Sequence, residues 1–135
     1  MVLDLSMSIA ELIALFQSNK GWDKQYRVLI QLGKKLPALA ASDKVEANEV
    51  KGCQSPAWLV IERNENVYSF KMDSDTRVVK GLMAILSVIY QGQSSAQIAA
   101  LDINELFVQL GLLNHLSPSR SNGLLAIVNR IKEEC

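Results

Sequence analysis

The hydrophobic periodicity of this 135-residue chain changes along its length, and this change restricts the fold more than any other feature. In the first 33 residues, apolar side chains recur at the three- to four-residue spacing of amphipathic helices. Between residues 58 and 72 the spacing becomes that of strands, and after residue 76 it returns to that of helices. Helices, then strands, then helices predict an α+β fold rather than an alternating α/β one.

The N-terminal part is predicted to form a helical hairpin. Ser8 and Glu11 have the spacing of a capping box, so a first helix begins there and runs to about Ser18. Gly21 helps to break it, and a second helix follows that ends near Gly33. The apolar faces of these helices consist of Ile9, Leu12, Ile13 and Phe16, and of Trp22, Tyr26, Leu29 and Ile30.

Three short segments are predicted to form an antiparallel meander sheet. Residues 46–50 are the first strand candidate, and residues 58–61 are an apolar run of good strand formers. Residues 64–66 have turn chemistry, and residues 68–72 alternate apolar and polar side chains. The sheet would therefore have three strands with one buried face.

The chain after the sheet is predicted to be helical. Residues 76–90 are so apolar that this helix is expected to pack on the sheet as the central core element. A last helix opens after Pro118. Between them, capping-box spacing predicts two short helices, at Ser94 with Gln97 and at Asp102 with Glu105. A chain of this length is expected to form one domain, residues 1–135.

Charge and hydropathy argue against several classes of function. Fourteen basic and fourteen acidic residues give a net charge of zero, whereas nucleic-acid binders usually carry a basic excess. The first residues lack the basic start and apolar run of a signal peptide. The most apolar window, residues 81–90, is far shorter than the ~20 residues of a membrane helix. A cytosolic protein with neither nucleic acid nor membrane as a partner is expected.

The chain has few cysteine and histidine residues that could bind a metal ion. The chain has two cysteines, Cys53 and Cys135, and one histidine, His115. They cannot supply a disulfide framework, a tetrahedral zinc site or a cysteine-ligated cluster. No glycine-rich phosphate loop follows a strand candidate. We therefore expect no metal and no cofactor, and we expect Cys135 to be frayed and non-essential.

Cys53 is the candidate for chemistry. Its neighbours Gly52, Gln54, Ser55 and Pro56 are small, polar or turn-forming, so the thiol is expected in a loop between two strand candidates. Free backbone N–H groups in such a loop can help to stabilise a thiolate. From these residues alone two interpretations stay open: a reactive loop thiol, or a small buried hydrophobic side chain.

Four blocks of sequence, in order, resemble the SufE family of sulfur acceptors. The block that contains the cysteine is Val50-Lys51-Gly52-Cys53-Gln54-Ser55-Pro56-Ala57-Trp58. The others are Trp22-Asp23-Lys24-Gln25-Tyr26-Arg27 with Leu32-Gly33-Lys34-Lys35-Leu36-Pro37, Asp73-Ser74-Asp75 with Val79-Lys80-Gly81-Leu82, and Leu116-Ser117-Pro118-Ser119-Arg120-Ser121-Asn122-Gly123-Leu124. Four ordered blocks between about Trp22 and Ile131 are a more specific signal than one short motif.

The resemblance implies a SufE/IscU-like fold in which Cys53 accepts sulfur as a persulfide. SufE-like proteins work with a pyridoxal-phosphate cysteine desulfurase of the SufS type, whose persulfide Cys53 would attack by thiol–disulfide exchange. The sulfur would pass to a SufBCD-type scaffold for iron–sulfur cluster assembly. The protein would be a carrier and activator rather than an enzyme, as a monomer or homodimer. An IscU-type scaffold would need more cysteine ligands than this chain has.

The remaining site residues are assigned with alternatives. Gly52, Gln54 and Ser55 are expected to support the cysteine loop. Arg120 is a candidate anion or partner contact: it either stabilises a thiolate or persulfide anion, or it caps or pairs at the surface. Asp75 either contacts the desulfurase or caps the following helix.

Other functions stay open beside the SufS partnership. A CsdE-type protein, which serves a paralogous desulfurase, would have a similar sequence. A thiol hydrolase with His115 as the base for Cys53, or an interaction module that does not use the cysteine, are the remaining alternatives. We also expect a mobile loop that partly shelters the Cys53 sulfur, and a core position for Trp22 and Trp58.

Overall fold

The computed structural model describes residues 5–50, 56–112 and 116–135, apart from the side chains of Ser119 and Arg120. Helices precede and follow a β-hairpin, so the predicted α+β class is confirmed. The elements are α1 (Ile9–Gln17), α2 (Trp22–Lys35), β1 (Ala57–Asn64), β2 (Val67–Ser74), α3 (Arg77–Tyr90), α4 (Ser95–Ala100), α5 (Ile103–Leu110) and α6 (Pro118–Glu134), with 3₁₀ turns at Ala41–Asp43 and Glu46–Asn48. None of the described helices is both long enough and apolar enough to cross a bilayer.

The two N-terminal helices begin where the sequence places them. The predicted capping box is present: Ser8 Oγ accepts from the Glu11 N–H at 3.1 Å, and Glu11 Oε1 accepts from the Ser8 N–H at 3.2 Å. Helix α2 follows Gly21, whose φ of 96° suits a residue without Cβ. The helices pack mainly on other elements, α1 on α5 and α2 on α3, rather than on each other.

The sheet of the described residues is a two-stranded antiparallel hairpin. Ala57 lies opposite Ser74, and Asn64 lies opposite Val67. The turn between the strands falls at the predicted position, and Glu65 in it has a φ of 57°. The alternation predicted over residues 68–72 is confirmed, because Tyr68, Phe70 and Met72 are buried and the residues between them are not.

The third strand predicted over residues 46–50 is not formed. Residues Glu46–Asn48 form a 3₁₀ turn, in which backbone N–H groups bond locally instead of to a neighbouring strand. Only Glu49 makes an isolated antiparallel bridge, to Trp58. The backbone bonds required for a strand are therefore used up within the turn.

Residues 91–93 cover the outer edge of β2. The Gly92 N–H donates to the Tyr68 carbonyl, and the Tyr68 N–H donates to the Gln93 carbonyl, both at 2.9 Å. The Gln91 amide accepts from the Phe70 N–H at 3.1 Å and donates to the Phe70 carbonyl at 2.7 Å. These bonds pair backbone groups that would otherwise form an open strand edge.

Helix α3 is the core element, as its apolar sequence predicts. Every residue from Gly81 to Tyr90 is buried, and the helix packs on α2 and on β2. The predicted short helices are present as well: Ser94 and Gln97 form a reciprocal capping box, and the Asp102 carboxylate caps α5. The buried face of α6 consists of Leu124, Ile127, Val128 and Ile131.

Replacing Gly81 by alanine is expected to lower the free energy of unfolding by about 2 kcal/mol, even though alanine favours a helix by about 1 kcal/mol. A Cβ at Gly81 would lie 2.5 Å from the Leu29 carbonyl oxygen, and one at Gly33 would lie 2.9 Å from the Gly81 nitrogen. Urea denaturation measures the effect. Gln31→Ala, on the exposed face of α2, is the control. A Gly81→Ala protein as stable as the parent would contradict this close helix contact.

Candidate functional site

The candidate site is described from the residues on either side of the predicted cysteine loop. Several of the predicted site residues lie outside the described part of the chain: Gly52, Cys53, Gln54, Ser55 and His115, together with the side chain of Arg120. The predicted mobility of the loop and shelter of the Cys53 sulfur lie outside it too. The candidate site is therefore built from the described residues that flank the segment 51–55 and from those that hold them.

The two ends of this segment are held side by side. The Val50 N–H donates to the Ala57 carbonyl at 2.8 Å, and Glu49 bridges Trp58 just beyond. Val50 and Ala57 are both buried. We call residues 46–50 the entry stem and Pro56 with Ala57 the exit stem. The pairing fixes the points at which the chain leaves the core before Cys53 and returns after it.

Ser74 ties the exit stem to the start of α3. Its hydroxyl donates to the Pro56 carbonyl at 2.6 Å and accepts from the Thr76 N–H at 3.3 Å. Ser74 is buried and lies opposite Ala57 in the sheet. The exit stem, the end of β2 and the N-terminus of α3 are thus connected through one hydroxyl group.

Asp73 joins the same region to the segment that follows α2. Its Oδ1 accepts from the Ser74 N–H at 2.8 Å and lies 3.3 Å from the Lys80 ammonium. Its Oδ2 accepts from the Leu39 N–H at 3.2 Å and lies 3.3 Å from the Lys44 ammonium. Burial by itself raises the pKa of Asp73, but these four donors outweigh it and hold the pKa below its ordinary value.

Lys44 also lies over the aromatic ring of Trp58, the residue that follows the exit stem. Its ammonium lies 5.3 Å from the ring centroid of Trp58, within cation–π distance. Trp22 is partly buried and packs against the core, in line with its predicted position. Trp58 is also only partly buried, and its predicted core position is corrected. The reason at Trp58 is strand alternation: Ala57 and Leu59 face the core, which turns the residue between them to the other face.

The entry stem is held by Arg130 of α6. The guanidinium donates to the carbonyls of Ala47 and Glu49 at 2.6 and 2.7 Å. Its Nε donates to the Glu134 carboxylate at 2.9 Å. Each stem thus has a side chain bonded to its main-chain carbonyls, Arg130 on the entry side and Ser74 on the exit side.

The two other charged candidates lie at helix starts. Asp75 is exposed and precedes Thr76, which occupies the N-cap position of α3 without a side-chain cap bond. Capping by Asp75 is therefore not the arrangement found. Arg120 is the third residue of α6. Its assignment as an anion or partner contact stays a prediction.

Cys135 is hydrogen-bonded and partly buried, which corrects the expectation that it is frayed. Its N–H donates to the Ile131 carbonyl at 3.0 Å, and the side chain is partly buried against the core. Burial, and then the neighbouring Glu134 charge, raise the pKa of the Cys135 thiol above its ordinary value. In the described ranges, clusters of three or more His, Cys, Asp or Glu side chains suited to a metal ion are absent.

The raised pKa of Cys135 predicts that its thiol reacts slowly with alkylating reagents at neutral pH. In the Cys53→Ser variant, where Cys135 is the remaining cysteine, iodoacetamide alkylation is expected to show a midpoint above pH 9.0, the ordinary value. Intact-mass readings across a pH series measure the rate. The same protein in urea, where burial is lost, serves as the control. A folded-state midpoint at or below that of the unfolded protein would contradict the burial argument.

The family model described as "SufE: Fe-S metabolism associated domain" matches residues 10–135. This chain belongs to the SufE family. Its SufE-like relatives include an uncharacterized protein of Rhizobium etli, 44% identical over 131 residues that cover 94% of this chain and 88% of the relative. A second, from Rhizobium meliloti, is 35% identical over 131 residues and covers 94% of each chain. The resemblance carried by the four sequence blocks is thereby confirmed.

A solved structure supports the fold of this SufE-family chain. The solution structure of a hypothetical protein from Thermus thermophilus superposes with a TM-score of 0.75 and covers 95% of both chains, at 20% identity. At that identity the likeness concerns the fold alone. The family itself is one associated with iron–sulfur metabolism.

Sequence reasoning about this SufE-family chain missed the residues that hold the stems. The sequence indicates Asp73 and Ser74 only as members of a family block, and it indicates no role for Arg130. Strand alternation places Asp73 on the same face of β2 as the polar residues Ser69 and Lys71, so the local pattern predicts an exposed side chain. Asp73 is buried because the segment around Leu39, which is distant in the sequence, contacts it. The available signal was the block that contains Asp73, Ser74 and Lys80, because the latter two interact directly with Asp73.

Proposed function

We propose that this SufE-family protein accepts sulfane sulfur on Cys53 from a SufS-type cysteine desulfurase and relays it to a SufBCD-type iron–sulfur scaffold. The observation that carries the proposal is membership of the SufE family over residues 10–135, in a chain whose family block around Trp58 contains one cysteine. The protein acts in the cytoplasm as a single-domain carrier and activator, and the catalysis belongs to the desulfurase. A CsdE-type partnership with a paralogous desulfurase uses the same chemistry.

The transfer is a thiol–disulfide exchange in which no net oxidation occurs. The Cys53 thiolate attacks the outer sulfur of the desulfurase persulfide, a new S–S bond forms, and the S–S bond on the desulfurase breaks. The desulfurase cysteine leaves as a thiolate, and the proton of the terminal sulfur moves with the transferred atom. The desulfurase is thus freed for another cycle, which explains activation by an acceptor.

The test is to incubate the protein with a desulfurase, pyridoxal phosphate and cysteine, and to read intact mass without reductant. We expect the protein to gain one sulfur atom, which peptide mapping assigns to Cys53. Sulfur found on Cys135 instead, or none while the desulfurase turns over, would overturn the proposal.

A further inference from the structure

Arg130 is bonded on three sides. Both terminal nitrogens of its guanidinium donate to carbonyls of the entry stem, at 2.6 Å to Ala47 and 2.7 Å to Glu49. The Nε donates to Glu134, one turn further along α6, at 2.9 Å. The side chain is only 27% exposed. These are short, charge-assisted bonds, and the planar fork is fixed by all three acceptors.

These bonds connect positions far apart in the sequence. Arg130 is 81 positions from Glu49 and 83 from Ala47. The entry stem itself contributes a 3₁₀ turn and a one-residue bridge, which is little regular structure to fix its position. Val50, the next residue, pairs with Ala57 and is the last described residue before the cysteine segment. The guanidinium therefore fixes this stem relative to α6.

We infer that Arg130 is a positioning residue for sulfur transfer. By holding the entry stem, Arg130 sets the position and the direction in which the chain leaves the core toward Cys53. The inference rests on the proposed function. The attacking sulfur must align with the S–S bond that breaks, so a small displacement lowers the transfer rate steeply. A lysine retains the charge but cannot bond both carbonyls in one plane.

The test compares Arg130→Lys and Arg130→Met with Glu134→Gln, all in a Cys135→Ser background that leaves Cys53 as the single thiol. Glu134→Gln is the matched control, because it removes the carboxylate charge beside the guanidinium and leaves both carbonyl bonds in place. Single-turnover transfer from pre-loaded desulfurase, measured over a range of desulfurase concentrations, separates the limiting rate from the half-saturation concentration. Alkylation of Cys53 by iodoacetamide reports its reactivity toward a small reagent.

For Arg130→Met we expect a limiting rate about tenfold lower, and for Arg130→Lys a smaller loss in the same direction. The half-saturation concentration and the alkylation rate should stay within about twofold of the parent, and Glu134→Gln should transfer at nearly the parental rate. Such a split indicates positioning, since a contact to the partner would change half-saturation and a chemical role would change alkylation.

An Arg130→Lys protein with the parental limiting rate overturns the inference, and so does a loss confined to half-saturation. Arg130→Lys also decides the question if Arg130→Met does not fold. A parent protein that takes up no sulfur on Cys53 overturns the proposed function and this inference with it. A parent that does take up sulfur, beside an equally fast Arg130→Lys protein, overturns the inference alone.

Discussion

Replacing Cys53 by serine is expected to abolish sulfur uptake and to reduce desulfurase turnover to the rate of the desulfurase alone. A serine hydroxyl is almost fully protonated at neutral pH and cannot form the S–S bond that carries the transferred atom. Cys135 cannot take over, because it is partly buried and the pKa of its thiol is raised. Turnover is read as alanine or sulfide formed with and without the protein, and uptake as the intact mass.

The matched control for Cys53→Ser is Cys135→Ser, which removes the other cysteine and is expected to retain both uptake and stimulation. If Cys53→Ser stimulated the desulfurase as strongly as the parent does, activation would depend on binding alone. That result would contradict the proposal that activation depends on sulfur transfer to Cys53. Loss of uptake with stimulation retained would separate the two roles and limit Cys53 to the carrier role.

The parts of the fold that the sequence predicted are those set by local interactions. The capping box of Ser8 and Glu11, the turn at Glu65 and the apolar run of α3 each depend on neighbours within a few positions. The predicted third strand failed for a similar local reason. Residues 46–50 resemble a strand in composition, but the 3₁₀ turn at Glu46–Asn48 takes the backbone bonds that a strand would need.

Only part of the candidate site could be predicted from the sequence. Cys53 is the candidate because of its motif, since periodicity alone cannot separate a reactive thiol from a buried one, and its role stays a prediction. The supports of its segment were not identified, because they come from long-range contacts. Arg130 bonds a stem 81 positions away, and Asp73 accepts from Leu39, which is 34 positions away. No local pattern encodes such partners, and only the folded chain brings them together.

Asp73 to alanine is expected to be the most destabilising of the substitutions considered, lowering the free energy of unfolding at neutral pH by about 3 kcal/mol. Asp73 is 2% exposed, and its carboxylate is the acceptor for the N–H groups of Leu39 and Ser74. Its removal leaves these two donors unpaired. Lys44 and Lys80 add less to the loss, because at 33% and 36% exposure their ammonium groups can turn to water. Urea denaturation measures the change.

Asp73 to asparagine isolates the charge, because it preserves the volume and one acceptor oxygen. The folded state holds the pKa of Asp73 below its ordinary value of 3.8, so ionisation stabilises the folded protein above that pH. This contribution is complete above the unfolded pKa and is lost as pH falls through the folded one. The stability difference between parent and Asp73→Asn should therefore be constant from about pH 7 to pH 5 and should shrink below about pH 4.

The control for this pH series is Asp75→Asn, two residues along the chain and exposed, which should change stability by less than about 0.5 kcal/mol. A parent-to-Asp73→Asn difference that does not shrink in acid would show that the ionised carboxylate is not preferred in the folded state. The expected shrinkage has a direct structural meaning. Asp73 joins the segment around Leu39 to β2 and to Lys80 of α3, next to the hydroxyl that holds the exit stem. Acid should therefore loosen the support of the cysteine segment before it unfolds the apolar core around α3.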